Sequence, residues 1–491
     1  MAEARLNADD RGFFTTLDRV VYGNPFTDNR AELIGQLVAG VTDQALVVNR
    51  ELLAQQVAPR LRAFSDLATL ERLNANDQRL VQSGFLYCCY HHHVAPIDKL
   101  IEQQEAPGAA PAAEPIARSV AGELALCGMH EDMALHYFAL FFQLRRAFHF
   151  ILGSLSGDCE SMRKLRRALW DNVFTHDMRA FETGLWRRME DFSTLILGET
   201  GSGKGAAAAA IGRSEFIPYL ARERRFAANF ADSFITINLS QFAESLIESE
   251  LFGHKKGAFT GAVEQHQGVF ERCSAHGSLF LDEIGEASNP IQIKLLQVLQ
   301  ERSFTPIGSH EKKRFSGRVI AATNRPLGEL RGQGRFRDDF YYRLCSDVVV
   351  LPTLRQRIEE SQCELDDLVH LLVARIGGEP NEPRAAFVLQ ALKRDLPRGY
   401  PWPGNVRELE QAVRRILLTG HYLGDSAGVS ASEEDQFADL ARSGQLNAQQ
   451  LLGRYCALLY RRLGSYAAVA ERTGLDRRTA RKHVIEHMAA G

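Results

Sequence analysis

Ser193-Thr-Leu-Ile-Leu-Gly-Glu-Thr-Gly-Ser-Gly-Lys204 decides the fold of this chain. Ser193–Leu197 has the pattern of a buried strand, and it runs straight into Gly198-Glu-Thr-Gly-Ser-Gly-Lys204, which fits G-x-x-x-x-G-K. An alanine-rich helical stretch follows. Glycines let the backbone fold so that its N–H groups point inward at phosphate oxygens, and the helix N-terminus adds a favourable dipole. Lys204 then reaches the β- and γ-phosphates. Strand, loop and helix in that order make Gly198, Glu199, Thr200, Gly201, Ser202, Gly203, Lys204 and Gly205 the candidate nucleotide-binding residues. Gly205 departs from the pattern: such loops carry Ser or Thr after the lysine, and here no hydroxyl is available for Mg²⁺.

Two further strands surround this loop with the groups hydrolysis requires. Ser278-Leu-Phe-Leu-Asp282-Glu283 is an apolar strand ending in two acids. Asp282 is placed to hold Mg²⁺, and Glu283 to orient and polarise the attacking water. Val319-Ile-Ala-Ala-Thr-Asn324 ends in a polar pair, and strand carboxyl ends line the ligand crevice of a parallel sheet. Asn324 is therefore a candidate for sensing the γ-phosphate or the water. Strands and helices alternate to about Leu418, which predicts a parallel α/β sheet.

Between these elements lies Gly253-His-Lys-Lys-Gly-Ala-Phe-Thr-Gly-Ala262. Alone, the string reads as a glycine-rich hairpin turn around a core phenylalanine. The phosphate loop before it and the two acids after it favour a second reading, a flexible tip that presents an aromatic residue.

At this point the residues resemble a known family, the AAA+ activators of bacterial sigma-54 RNA polymerase. The resemblance covers roughly residues 185–420 and the C-terminal helical unit. It rests on GETGSGK, ESELFGHKKGAFTGA, GSLFLDEIGE, AATNRPL, GRFRDDFYYRL and YPWPGNVRELEQAV, in that order. It implies an α/β AAA+ P-loop core with a helical lid, working as a ring hexamer with ATP between subunits. Gly257, Ala258, Phe259, Thr260, Gly261 and Ala262 then match the loop that contacts sigma-54. Arg337 and Arg343 match the arginines offered to a neighbour's nucleotide, and Arg407 matches an arginine that touches nucleotide from the lid. Asn238 matches the asparagine that holds the catalytic glutamate, here Glu283. The chain departs from the family at Gly205, where glutamate is usual. Residues 213–232, and the segment between Ser161 and the nucleotide loop, are both longer than typical.

The last residues, from Leu463 to His483, have the spacing of a helix-turn-helix. The expected first helix is Tyr466–Thr473, with Gly474 as the turn and Asp476–His487 as the second helix, capped by Asp476. Arg477, Arg478, Thr479, Arg481 and Lys482 are the candidate DNA-binding residues. The unit resembles the Fis-type domain that family members carry in this place.

Composition sets the outer bounds. The chain has 491 residues, 45% hydrophobic and 24% charged, with a net charge of −3, which excludes a protein coated in nucleic acid but not one small basic module. The eight cysteines form no CxxC pair, and the polar, acidic N-terminus is unlike a signal peptide, so a reducing cytoplasm is expected. The expected domains are a mainly helical regulatory region (1–160, with a linker near 105–115) and a helical connector (161–190). An α/β ATPase subdomain (191–350) and a helical lid (351–423) follow, then a linker (424–446) and an all-α DNA-binding domain (447–491). No phosphorylation receiver is visible in the first region, whose effector the sequence does not disclose. Met133–Leu144 carries aromatics on more than one face and is expected in a core rather than a ligand pocket. Tyr87-Cys-Cys-Tyr-His-His-His93 is the one unusual cluster. Soft and imidazole ligands side by side suit a metal or a redox sensor. Adjacent helical residues point apart, however, so one metal cannot use Cys88, Cys89, His91, His92 and His93 together, and structural burial is the expected role.

These readings combine into an ATP-dependent activator that binds double-stranded upstream DNA and remodels sigma-54 RNA polymerase, with no membrane partner. The alternatives are a DNA-binding repressor whose core is only an assembly platform, and an ATPase acting on RNA or other proteins.

Overall fold

Helices build the first third of the chain: α1 (Ala8–Tyr22), α2 (Arg30–Leu37), α3 (Leu46–Leu61), α4 (Leu67–Glu71), α5 (Ala75–His92), α6 (Val94–Glu105), α7 (Glu114–Ala125), α8 (Glu131–Ser154), α9 (Glu160–Phe174) and α10 (Met178–Thr183). Local chemistry sets their ends. Asn74 starts α5 by accepting the backbone N–H groups of Asn76 and Asp77. Pro115 sits in the first turn of α7, where its missing N–H costs nothing. The computed structural model describes residues 5–38, 46–64, 67–105, 112–424, 437 and 446–489. The expected linker near 105–115 therefore lies largely outside the described residues, and the one at 424–446 almost wholly so.

The sheet begins at β1 (Thr194–Leu197), and α11 (Lys204–Gly212) leads from the phosphate loop to a small hairpin, β2 (Tyr219–Leu220) and β3 (Arg225–Phe226). After β4 (Phe234–Asn238) come α12 (Glu244–Phe252), α13 (Val269–Arg272), β5 (Ser278–Asp282) and α14 (Asn289–Glu301). A second hairpin, β6 (Ser303–Phe304) and β7 (Lys313–Arg314), precedes β8 (Arg318–Thr323), α15 (Leu327–Gly332), α16 (Asp338–Leu344) and β9 (Asp347–Val350). Helices α17 (Leu354–Glu360), α18 (Glu364–Gly377), α19 (Glu382–Asp395) and α20 (Asn405–Thr419) follow, then α21 (Ala448–Leu463), α22 (Tyr466–Thr473) and α23 (Arg477–Ala489).

The main sheet has the order β4-β5-β8-β1-β9, parallel throughout. This is the α/β core that the phosphate loop and the alternating pattern predict. Strand β8 is buried along its whole length, as expected of a strand covered on both faces. The register Thr194↔Ile320 and Ser278↔Arg318 aligns the carboxyl ends of β1, β5 and β8.

Two compact units are present: Met1–Pro380 with Pro401–Gln411, and Asn381–Tyr400 with Ala412–Gly491. In the first, one hydrophobic cluster runs from Leu6 to Leu351, so the N-terminal helices and one face of the sheet share a core. Helix α8 lies inside it, with Phe138, Phe141, Phe142 and Phe150 buried. The same helix also walls a cavity of about 470 Å³ with Tyr22, Tyr87, Tyr137, Phe141, Phe148 and Trp170 on its lining, so it serves as both core and pocket wall. In the second unit, Cys456, Leu459, Val469, Ala480 and Val484 form the small core of α21–α23. Among the described residues, no helix is long and apolar enough to cross a membrane.

Candidate functional site

The phosphate loop requires its glycines individually. Gly201 and Gly203 have φ of 77° and 103°, in the left-handed region that side chains disfavour. A Cβ on Gly201 would also come within 2.1 Å of the Gly404 carbonyl oxygen. Lys204 opens α11 and is buried. Its Nζ donates to the Gly198 and Glu199 carbonyl oxygens at 3.0 and 3.3 Å. Burial pushes its pKa down, Glu283 and Asp282 pull it back up, and Arg407 adds to the lowering. The Lys204 ammonium thus feels both acids and Arg407 together.

Asp282 ends β5, and Glu283 follows in the left-handed region at φ 55°. Such a backbone conformation is uncommon for a residue with a side chain, and it sits where the reaction is expected. Asp282 Oδ1 accepts the Glu283 N–H at 3.0 Å. Asn238 differs from expectation: its Nδ2 donates to Asp282 Oδ2 at 3.2 Å, not to Glu283. The register explains this, because Asn238 pairs directly with Asp282 across β4 and β5 while Glu283 has already left the strand. Asn324, at the end of β8, donates to Thr200 Oγ1 at 2.9 Å and so contacts the phosphate loop.

Two residues that the motif reading passed over hold this loop in place. Asn405, with φ 53°, donates to Glu199 Oε2 at 3.1 Å and to the Thr200 carbonyl oxygen at 3.0 Å, while its Oδ1 accepts the Leu354 N–H at 2.8 Å. Arg355 pairs with Glu199 at 2.5 Å and, with Asn405, holds that carboxyl below its usual range. Asn405 stands in the same Gly-Asn-Val-Arg string as Arg407, so the signal was present. Arg355 carried none.

The residues fit a nucleotide with Mg²⁺. Ser202 Oγ, within the loop itself, is buried and has no hydrogen-bond partner in the protein. Magnesium is usually held by one or two carboxylates plus phosphate oxygens, and Asp282 and Glu283 supply that donor set. Gly205 is exposed with open space around it, so no side chain substitutes there for the missing hydroxyl.

Arg337 and Arg343 are not brought to Lys204 within this chain. Arg337 pairs with Asp339 at 2.7 Å, and the Arg343 guanidinium donates to the Leu299 carbonyl oxygen at 3.1 and 2.8 Å.

The loop at 253–262 excludes the core-phenylalanine reading. Gly257 N–H closes it on the Ala262 carbonyl at 2.8 Å, and Ala262 N–H bonds the Phe259 carbonyl at 3.0 Å. Gly257 and Gly261 have φ of 81° and 104° with nothing packed against either. Phe259 is 39% exposed, touching the His254 ring edge-on at 4.9 Å between centroids. Thr260 is exposed too, whereas Ala262 is buried in the base of the loop and is not part of the presented tip.

In the C-terminal unit, Asp476 Oδ1 accepts the N–H groups of Arg478 and Thr479 at 2.9 and 3.0 Å, capping α23 as predicted. Arg477, Arg478, Arg481 and Lys482 are exposed on that helix, and Thr479 is half-buried.

Comparison with known proteins agrees with this geometry. Residues 178–350 match the Sigma-54 interaction domain. The chain is 36% identical over 338 residues to the alginate biosynthesis transcriptional regulatory protein AlgB of Pseudomonas aeruginosa, covering 64% of this chain and 71% of that one. It is 39% identical to the transcriptional regulatory protein ZraR of Klebsiella oxytoca (59% and 62% covered). It is 42% identical to the Nif-specific regulatory protein of Azotobacter vinelandii (46% and 40%). The chain therefore spans less than two thirds of the length of these last two relatives. Among solved structures, NtrX from Brucella abortus in complex with ATP aligns over 73% of this chain and 76% of that one, at 23% identity and a TM-score of 0.40. On the sigma-54 domain and the AlgB match, the chain belongs to the sigma-54-dependent transcriptional activators, a family of AAA+ ATPases.

Proposed function

We propose that the protein is an ATP-hydrolysing transcription activator. It binds upstream double-stranded DNA through residues 447–491, assembles as a ring hexamer, and drives the 257–261 tip against sigma-54 RNA polymerase to remodel the closed complex. The observation that carries this reading is the convergence of Lys204, Asp282, Glu283 and Arg407 on one site in a chain that also exposes Phe259 on a glycine-hinged tip.

Each side chain has a role in this reading. Lys204 leaves the carbonyls of Gly198 and Glu199 for the β- and γ-phosphates. Asp282 holds Mg²⁺, which supplies charge neutralisation at the phosphates. Glu283 orients the attacking water, and Asn324, already on Thr200, reports γ-phosphate occupancy at the loop. Asn238 connects to this centre through Asp282. Arg407 contacts nucleotide in its own subunit. Arg337 and Arg343 exchange Asp339 and Leu299 for a neighbour's nucleotide, and such an arginine is worth about 10³–10⁵ in rate.

The experiment is open-complex formation at a sigma-54 promoter with purified protein. Lys204→Ala is expected to lose nucleotide binding and activation together. Glu283→Gln is expected to bind ATP while losing turnover and activation. Normal regulation by Lys204→Ala would replace this reading with the assembly-platform one.

A further inference from the structure

The cluster at the end of α5 resolves into a geometry that the sequence could not show. Of its cysteines and histidines, Cys89 and His93 stand four residues apart and share one helix face, and Glu123 of α7 meets them. One ligand-type atom from each of the three lies within 4.8 Å of the others. Cys89 Sγ is 3.8 Å from His93 Nδ1, and His93 Nδ1 is 3.7 Å from Glu123 Oε2. With zinc bonds of about 2.3 Å to sulfur and about 2.0–2.1 Å to nitrogen and oxygen, tetrahedral edges are about 3.6 Å for S–N and about 3.3 Å for N–O. The S–N and N–O pairs thus stand within a few tenths of an ångström of those edges, and the sulfur and the carboxylate lie no more than 4.8 Å apart.

The surroundings are those of a supported metal site. His93 Nε2 lies 2.9 Å from Ser119 Oγ, and His92 Nδ1 lies 2.9 Å from the other Glu123 oxygen. Partners of this kind fix the ring and carboxylate orientation of metal ligands. Cys89 and His93 are buried, while Glu123 is half-buried. His93 Nδ1 also donates to the Cys89 carbonyl oxygen at 2.9 Å. Metal uptake would exchange that bond for the metal and move the ring proton to Nε2, where Ser119 Oγ accepts it. The Cys89 thiol proton would leave to solvent.

We propose that Cys89, His93 and Glu123 form a binding site for a zinc-class divalent cation that ties α5 to α7 in the N-terminal region. Thiolate, imidazole and carboxylate together select Zn²⁺ over Mg²⁺ or Ca²⁺. The neighbouring Cys88 and His91 are left outside the ligand set.

The test is metal titration of the untagged, full-length, reduced and chelator-stripped protein. One equivalent of Co²⁺ is expected to give a sulfur-to-cobalt charge-transfer band with four-coordinate visible bands, all bleached by one equivalent of Zn²⁺. Cys89→Ser should remove the charge-transfer band. His93→Ala and Glu123→Gln should weaken Zn²⁺ by more than the roughly 10-fold loss expected for the supporting Ser119→Ala variant. Cys88→Ser should bind like the parent. Zn²⁺ should raise the melting temperature of the parent and not that of Cys89→Ser, a comparison that stands even where the variant is destabilised. Absence of the band, its survival in Cys89→Ser, or equal loss in Cys88→Ser would overturn the site.

Discussion

Phe259→Ala separates a loop built to contact another protein from a turn built to fill a core. The ring is 39% exposed, and its aromatic neighbour is His254, edge-on at 4.9 Å. An aromatic pair of this kind is worth about 0.5–1.5 kcal/mol. Truncating a buried phenylalanine costs about 3–5 kcal/mol. Phe270 provides the internal comparison: it is buried against Phe252 and Phe315, with centroids 5.4 and 4.9 Å away. At roughly 2–4 °C per kcal/mol for domains of 150–250 residues, Phe259→Ala should melt no more than about 6 °C low. Phe270→Ala should fall about twice as far or more. The assay pairs a thermal melt with ATP turnover and sigma-54-dependent open-complex formation on the same preparation. The expected result is a near-parental melt, retained turnover and lost activation. A melt as low as that of Phe270→Ala would return Phe259 to the core, and normal activation would end the contact role.

Asp77 predicts an acid limb in the stability of the N-terminal region. Burial works against its charge, but the Leu6 N–H, Asn74 and Arg11 outweigh it and hold the carboxyl below its ordinary range. A depressed folded pKa gives stability that is complete above the unfolded value of about 3.9 and is lost as pH falls through the folded value. Denaturant titrations from pH 6 downward should therefore show that limb flattened in Asp77→Asn. Arg146→Met should destabilise by about 2–4 kcal/mol, because the part-buried carbonyl of Arg213 and the buried one of Glu215 lose their donor at about 1–3 kcal/mol each while some apolar packing is kept. A chemical melt checks it, and a loss under 1 kcal/mol would refute the accounting. Arg478→Ala should weaken DNA binding across sequences and lower the salt slope by about 1 if it meets phosphate; an unchanged slope in a salt titration assigns it elsewhere.

The sheet and its phosphate loop were legible because their chemistry is local. A strand, a glycine loop that needs positive φ at Gly201 and Gly203, and a helix opened by Lys204 occupy one short stretch. The α22–Gly474–α23 turn was readable for the same reason, down to the Asp476 cap. What failed to show were pairings set by register and by distant chain. Asn238 belongs to Asp282 because β4 and β5 align them, and only the sheet order states that alignment. Arg355 grips Glu199 across 156 positions of sequence. The cysteine–histidine cluster gave its residue types in order, but Glu123 arrives from another helix, and adjacency in sequence did not say which of the five residues share a face with it.

The two lengths by which this chain exceeds its family's pattern acquire a purpose from the packing. Residues 213–232 contain the β2–β3 hairpin, whose Phe226 stacks on Phe142 of α8 with centroids 4.4 Å apart. The same stretch begins at the end of α11, where Gln143 bonds the Ser214 carbonyl at 2.9 Å and buried Arg146 bonds those of Arg213 and Glu215 at 2.7 Å each. A cation set on the last carbonyls of a helix complements its dipole. The segment after Ser161 supplies α9, whose Asn172 meets Arg318 at 2.8 Å, while Arg318 also bonds Thr194 of β1 at 3.1 Å. Neither insertion touches a catalytic group, which is why sequence reading found no use for them. Both attach the N-terminal helices to elements that flank the nucleotide loop: α11 begins with Lys204, and β1 ends at Leu197, one residue before Gly198. Helices α8 and α9 share the continuous cluster from Leu6 to Leu351 with the sheet, and packed interiors transmit strain. The N-terminal helices are thus built onto the far end of the helix that opens with Lys204.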